Sequence, residues 1–219
     1  MADYRSFKKI KNRYMRISIP LLLLSLLTIG AGLYAIINGS PERTYQWLDS
    51  VFALVIIVSG AIGIIGALHR YKELPEGDYC CYPGRMTPIS PVGSLCLWYI
   101  SAFLLYGYYN TNGLSLPEVL FFGVFQAILF FLSMLGFFYS RTFGVVGAGD
   151  KFYILGIKGI EEHQFSEIAR VTTKTHISYK IFNRDNKYWF KILTLWPDAE
   201  KFMKSLVDYM RDKSHEKKN

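Results

Sequence analysis

The chain has 219 residues, 51% of them hydrophobic and 16% aromatic, and still carries a net charge of +8. A water-soluble globular domain rarely combines these values, and three cysteines are too few for a disulfide scaffold. The composition therefore directs attention to uncharged runs long enough to cross a bilayer.

There are four such runs, each without a charged residue: residues 17–37, 50–68, 86–117 with its apolar part at about 92–109, and 119–140. Each reaches across a hydrocarbon core about 30 Å thick at about 1.5 Å per residue, the third only just. The first has a basic flank that resembles a secretory signal, but it is long and leaves through Asn38-Gly-Ser-Pro without a small-residue cleavage site, so it reads as a retained helix.

Positive residues in short connections mark the cytoplasmic side. Residues 1–16 hold six Lys/Arg, the first connection one, the second three, the third none and the segment after Ser140 fifteen. Four crossings with both termini in the cytoplasm place all but Arg43 on that side. The expectation is a multi-pass inner-membrane protein. Its parts are a basic segment 1–16, a transmembrane domain 17–140, a cytoplasmic domain 141–211 and a charged tail 212–219.

No expected span interior contains Asp, Glu, Lys, Arg or His, which disfavours ion-coupled transport, since such proteins keep ionisable groups at membrane depth. Gln126 is the one deep polar side chain that stands out, and it reads as an interhelical hydrogen bond. Small residues recur at helical spacing: Thr28 and Gly32 in the first span, Ser59, Gly63 and Ala67 in the second. Such faces let backbones approach closely, here to pack the first two spans together, or alternatively to join a second copy or a partner protein. Gly66 lies beside that stripe, off it by one residue's rotation. Aromatic residues near span ends, Trp47, Tyr106, Tyr108, Tyr109 and Tyr139, read as interfacial belts. The adjacent Cys80 and Cys81 lie in the second connection and read as free loop thiols with no zinc spacing.

After Ser140 the pattern changes. In Arg141–Leu155, Gly144, Gly147 and Gly149 appear in the order G-x-x-G-x-G, the reverse of a dinucleotide fingerprint, and β-formers follow instead of a helix. The loop therefore reads as a hairpin turn. Strands are expected at 143–146, 151–155, 160–164, 169–175, 177–182 and 187–193, with an Asn183–Asn186 turn before the last. A helix is expected at 198–211, with Phe202, Leu206 and Met210 facing inward.

Strands closed by one amphipathic helix suggest a small β-barrel or sheet domain. The stretch GDKFYILGIKGIEEHQFSEIARV, with Phe165-Ser166-Glu167-Ile168 and Val171, resembles the bacterial pleckstrin-homology-like domains of small membrane proteins. The resemblance covers about residues 141–211 and implies a PH-like barrel without specifying a ligand. Lys174, Lys180, Arg184, Lys187 and Lys191 cluster around one hairpin and form a candidate face for lipid or a protein partner. Nucleic acid is not expected, because no RNP or zinc motif accompanies the basic residues.

No H-E-x-x-H, G-x-S-x-G, phosphate loop or calcium loop occurs, and Glu161-Glu162-His163 reads as a solvated strand edge. No catalytic residue, cofactor or metal is assigned. The expected function is non-enzymatic: a polytopic inner-membrane protein that acts through protein or lipid interaction. Two alternatives accompany it, an immunity protein against a membrane-acting toxin and a ligand-gated membrane effector or channel.

Overall fold

The computed structural model describes residues 10–37, 46–83, 91–112, 115–174 and 177–216. The chain divides into two compact units, each described by itself.

The helical unit contains α1 (Ile19–Ile37), α2 (Gln46–Leu68), α3 (Pro91–Asn112) and α4 (Leu116–Thr142). Among the described residues three helices are long and apolar enough to cross a membrane: α1 with the helical residues before it, α2 and α4. In α3 the described apolar stretch is shorter, Leu95–Leu105. Among the described residues the protein thus has three apolar helices of membrane-spanning length, and α3 is a helix at the position of the third expected span.

α1 and α2 pack through small residues. A Cβ on Gly32 would come within 2.7 Å of the Ile57 side chain and 3.1 Å of the Ala53 carbonyl. One on Gly60 would meet Ile29 at 2.7 Å and the Ser25 carbonyl at 3.0 Å, and one on Gly63 would overlap Ser25 Oγ. Thr28, Ser59, Ala67 and Gly32 are buried in the same region. The hydroxyls of Ser25, Thr28 and Ser59 each donate to the carbonyl four residues earlier, at 2.7–2.8 Å, so these polar groups are satisfied within their own helices. Gly66 is crowded as well. Its Cβ would lie 3.0 Å from Phe138 Cα of α4, which corrects the expectation that this glycine stands aside.

The sheet unit has seven strands and a closing helix. The first sheet runs β1 (Tyr79–Cys81), β2 (Gly144–Ala148), β3 (Lys151–Gly156), β4 (Gly159–Gln164), neighbours pairing antiparallel in that order. A 3-10 turn at Phe165–Glu167 leads to a second antiparallel sheet, β5 (Ile168–Lys174), β6 (Ser178–Asn183), β7 (Tyr188–Leu193). Helix α5 (Ala199–Glu216) follows, longer than expected at its end.

β1 overturns the reading of Cys80 and Cys81 as loop residues. Both are fully buried, and Cys80 and Cys81 stand opposite Val146 and Val145. Successive strand residues point to opposite faces, so the two thiols enter different cores. Cys81, with Tyr79, Val145 and Phe152, joins the main core with Phe165, Ile181, Phe190, Ile192, Phe202 and Leu206. Cys80, Val146 and Leu155 join a smaller core made with Ile10, Tyr14, Tyr71 and Leu74. Covered on both faces, β2 is buried along nearly its whole length, as a doubly covered strand must be.

The domain therefore does not begin at residue 141. It draws in the described residues 10–16 and 70–83. Tyr14 and Tyr71 do most to tie these segments in. The Tyr14 hydroxyl donates to the Phe143 carbonyl at 2.7 Å. The Tyr71 hydroxyl lies 2.7 Å from the Thr142 carbonyl and 2.6 Å from that of Gly156. Carbonyls at the end of a helix lack an intrahelical donor, and these phenols supply one.

The glycine-rich stretch is explained residue by residue. Gly149 holds φ +60° at the β2–β3 turn, and a Cβ on Gly147 would overlap the Tyr79 ring. A Cβ on Gly144 would press to 2.8 Å from Tyr14 Oη. These glycines serve a turn and two close approaches.

α5 closes the main core through Phe202, Leu206 and the partly buried Tyr209, while Met210 is 52% exposed. At 100° per residue, position i+7 returns to within about 20° of position i, whereas i+8 lies about 80° away. Tyr209 thus takes the inward position expected of Met210.

Candidate interaction face

The β6–β7 hairpin turns at Arg184–Lys187, with Asn186 at φ 58° and Asn183 Oδ1 accepting from the Lys187 amide at 2.9 Å. Inward residues alternate along it: Ile181, Phe190 and Ile192 are buried. Lys180 and Lys191 lie directly opposite one another, and Lys180 is also opposite Thr172 of β5.

A register shift decides what accompanies the lysines. Ile181 pairs with Phe190 and Phe182 with Tyr188, so Trp189 is an extra residue in β7. Such a bulge reverses the facing of residues beyond it. Tyr188 is 58% exposed although Phe190, two residues on, is buried. Trp189 instead packs on Phe152 at 5.6 Å and on the His163 ring at 4.4 Å. On β5, Arg170 stands opposite Phe182, and its guanidinium lies 4.6 Å from that ring's centre. This cation–π contact presents Arg170 on the same side as Lys180. Phe182 and Tyr188 rings are 6.2 Å apart.

Of the five basic residues expected here, Lys180 and Lys191 form the centre, with Arg184 and Lys187 exposed on the hairpin turn. Arg184 Nε donates to the Ser166 carbonyl at 3.0 Å, which ties that side chain toward the 3-10 turn. Lys174 ends β5 opposite Ser178, and its side chain lies outside the described ones, as do those of Trp47, Tyr106, Tyr108 and Tyr109. Arg170 was missed. Its place on the face depends on a shift in β5 between Ile168 and Arg170, which leaves no mark in the sequence.

Elsewhere in the unit several charges are paired. Lys151 meets Glu162 at 2.8 Å, and this partner raises the Lys151 pKa. His163 lies between Glu167 at 3.0 Å and Glu161 at 3.6 Å, with its side chain 19% exposed. Burial acts to raise the Glu167 pKa, but the Gln164 amide and His163 outweigh it and hold the carboxyl below its ordinary value. His163 is therefore held in a hydrogen-bonded cluster, while Glu161 and Glu162 are exposed, as expected of a solvated strand edge.

Cys80 and Cys81 sit beside Asp198. The Cys80 amide donates to its carboxylate at 3.4 Å and the Cys81 thiol to its carbonyl at 3.1 Å. Burial pushes the Cys80 pKa up to about 12 and raises that of Cys81 well above its ordinary value. Neither thiol is poised as a nucleophile. No group of three or more His, Cys, Asp or Glu suited to a metal occurs among the described residues.

In the helical unit Gln126 Nε2 donates to Ser101 Oγ at 2.6 Å, and that hydroxyl donates to the Trp98 carbonyl at 3.0 Å. The deep polar side chain thus makes the α3–α4 bond expected of it.

Comparison with protein-family models, curated proteins and solved structures gives no match.

Proposed function

We propose that the chain is a four-crossing membrane protein that acts without chemistry of its own, through an interaction made by the outer face of its second sheet. Parity supports four crossings. Residues 10–16, 70–83 and 142–216 fold into one unit, so they share one side of any membrane. Chain that leaves after residue 16 and returns at residue 70 crosses an even number of times, which suits α1 and α2. The same holds between residues 83 and 142. α4 is long and apolar enough to cross, and parity then favours a crossing by α3 as well.

The charge distribution supports the cytoplasm as the shared side, since all basic residues but Arg43 fall in segments on that side. A four-stranded and a three-stranded antiparallel sheet closed by a C-terminal helix supports the PH-like reading, with the first strand supplied from between two membrane helices. An interaction role is supported by Lys180 and Lys191, held opposite each other with no acidic partner within ion-pair distance among the described residues. Reporter fusions after Asn38 and Asn112 should report the outside, and fusions after Lys72 and Asn219 the cytoplasm. A fusion after Lys72 that reports the outside would refute the four-crossing arrangement.

A further inference from the structure

The strands of the second sheet contain no Asp or Glu, and Asp185 in the β6–β7 turn is the single acid from Ile168 to Leu193, against six Lys/Arg. Like charges directly opposite each other on a sheet are unfavourable, yet Lys180 and Lys191 are so placed. The first sheet of the same unit pairs its charges, as Lys151–Glu162 does. Of the two sheets, the second therefore carries the imbalance. On its outer face the bulge at Trp189 turns Tyr188 outward, and Phe182 lies between Tyr188 and Arg170.

We propose that this face docks on the anionic surface of a lipid bilayer. Lys180, Lys191 and Arg170 meet the phosphates, and Tyr188 and Phe182 lie at the level of the headgroups. Two observations favour a bilayer over an acidic protein. Tyr and Phe beside Lys and Arg is the composition of membrane interfaces. Helices of membrane-spanning length belong to the same chain, so a bilayer is present at high effective concentration. Each basic residue at an anionic surface strengthens binding by about fivefold, so reversing both lysines removes most of the attraction. The proposal rests on the second-sheet face being the interaction surface.

The test uses the full chain in vesicles of phosphatidylcholine alone or mixed with phosphatidylglycerol, with amide hydrogen exchange read across β6, the turn and edge strand β7. Exchange in the turn and β7 should slow by about tenfold in the anionic vesicles and recover in high salt. The slowing should vanish in Lys180→Glu/Lys191→Glu while β2 and β3 stay protected as before. Equal exchange in the two lipids overturns the proposal. A photo-crosslinking residue at position 188, used in cells, separates the two failures. A protein adduct together with lipid-independent exchange overturns the bilayer and retains the face. No adduct to protein or lipid, with lipid-independent exchange, overturns both.

Discussion

A single side chain, or its absence, sets local structure at several positions. Gly63 and Gly66 each occupy a place where a Cβ has no room, against Ser25 of α1 and Phe138 of α4. Gly63→Leu and Gly66→Leu should therefore both destabilise the helical unit, by about 1–3 kcal/mol or more, seen as lower thermal midpoints in detergent. Gly30, which has open space around its Cβ position, is the control: Gly30→Ala should leave the midpoint nearly unchanged. The paired thiols make a second residue-level prediction. With Cys80 fully buried and its pKa pushed up to about 12, a maleimide at neutral pH should modify neither Cys80 nor Cys81 in the folded chain. Both should react once the chain is unfolded, read by mass spectrometry. Glu167 adds a pH effect. Its folded pKa is depressed, so its contribution to stability is present above the ordinary carboxylate range and fades as pH falls through the folded value. Glu167→Gln should flatten that part of the acid-unfolding curve.

At the level of elements, α5 and β1 hold the sheet unit together. Phe202 is fully buried and packs at 5.6–6.5 Å against Phe152, Phe165, Phe190 and Tyr79. Phe202→Ala should cost about 3–5 kcal/mol, a large share of the stability of a small domain. Met210→Ala, on the exposed side of the same helix, should cost less than about 1 kcal/mol. Denaturant unfolding of the two variants in the full chain separates the arrangement from one with Met210 inward. The amphipathic pattern of α5 was plain in its sequence. The choice between Tyr209 and Met210 was not, because both fit an apolar stripe and only the crossing of the helix over the sheets selects one. The β2–β3, β3–β4 and β6–β7 turns were equally plain, since each carries Gly, Asn or Asp. The bulge at Trp189 was not. Strict alternation puts Tyr188 with Phe190, and the extra residue shows itself only in the pairing with β6.

For the whole molecule, the sheet unit is built from three separated stretches of chain. A fragment of residues 141–219 lacks β1, Tyr14 and Tyr71, and so leaves one edge of β2 and the Val146–Leu155 face uncovered. It should not fold even with α5 intact, giving a poorly dispersed amide spectrum. Joining residues 70–83 to it through a flexible linker should recover part of the dispersion. A fragment 141–219 that folds by itself would show that the added segments are ornamental.

The sequence by itself determined which stretches of this chain are uncharged and apolar enough to enter a bilayer. Uncharged runs of about 20 residues bury their backbone groups in helices and are stable in hydrocarbon, and no tertiary partner is needed to know that. It also determined the local hairpins and the closing helix, whose signals lie within a few residues of each other. The tertiary structure alone decided that Tyr79–Cys81 is a strand, that residues 10–16 and 70–83 belong with the sheets, and that Arg170 stands beside Lys180. The physical reason is the same in each case. Three residues are too short to show a period, and Tyr-Cys-Cys becomes a strand only because Val145–Gly147, more than sixty residues away, offers unpaired backbone donors and acceptors along its edge.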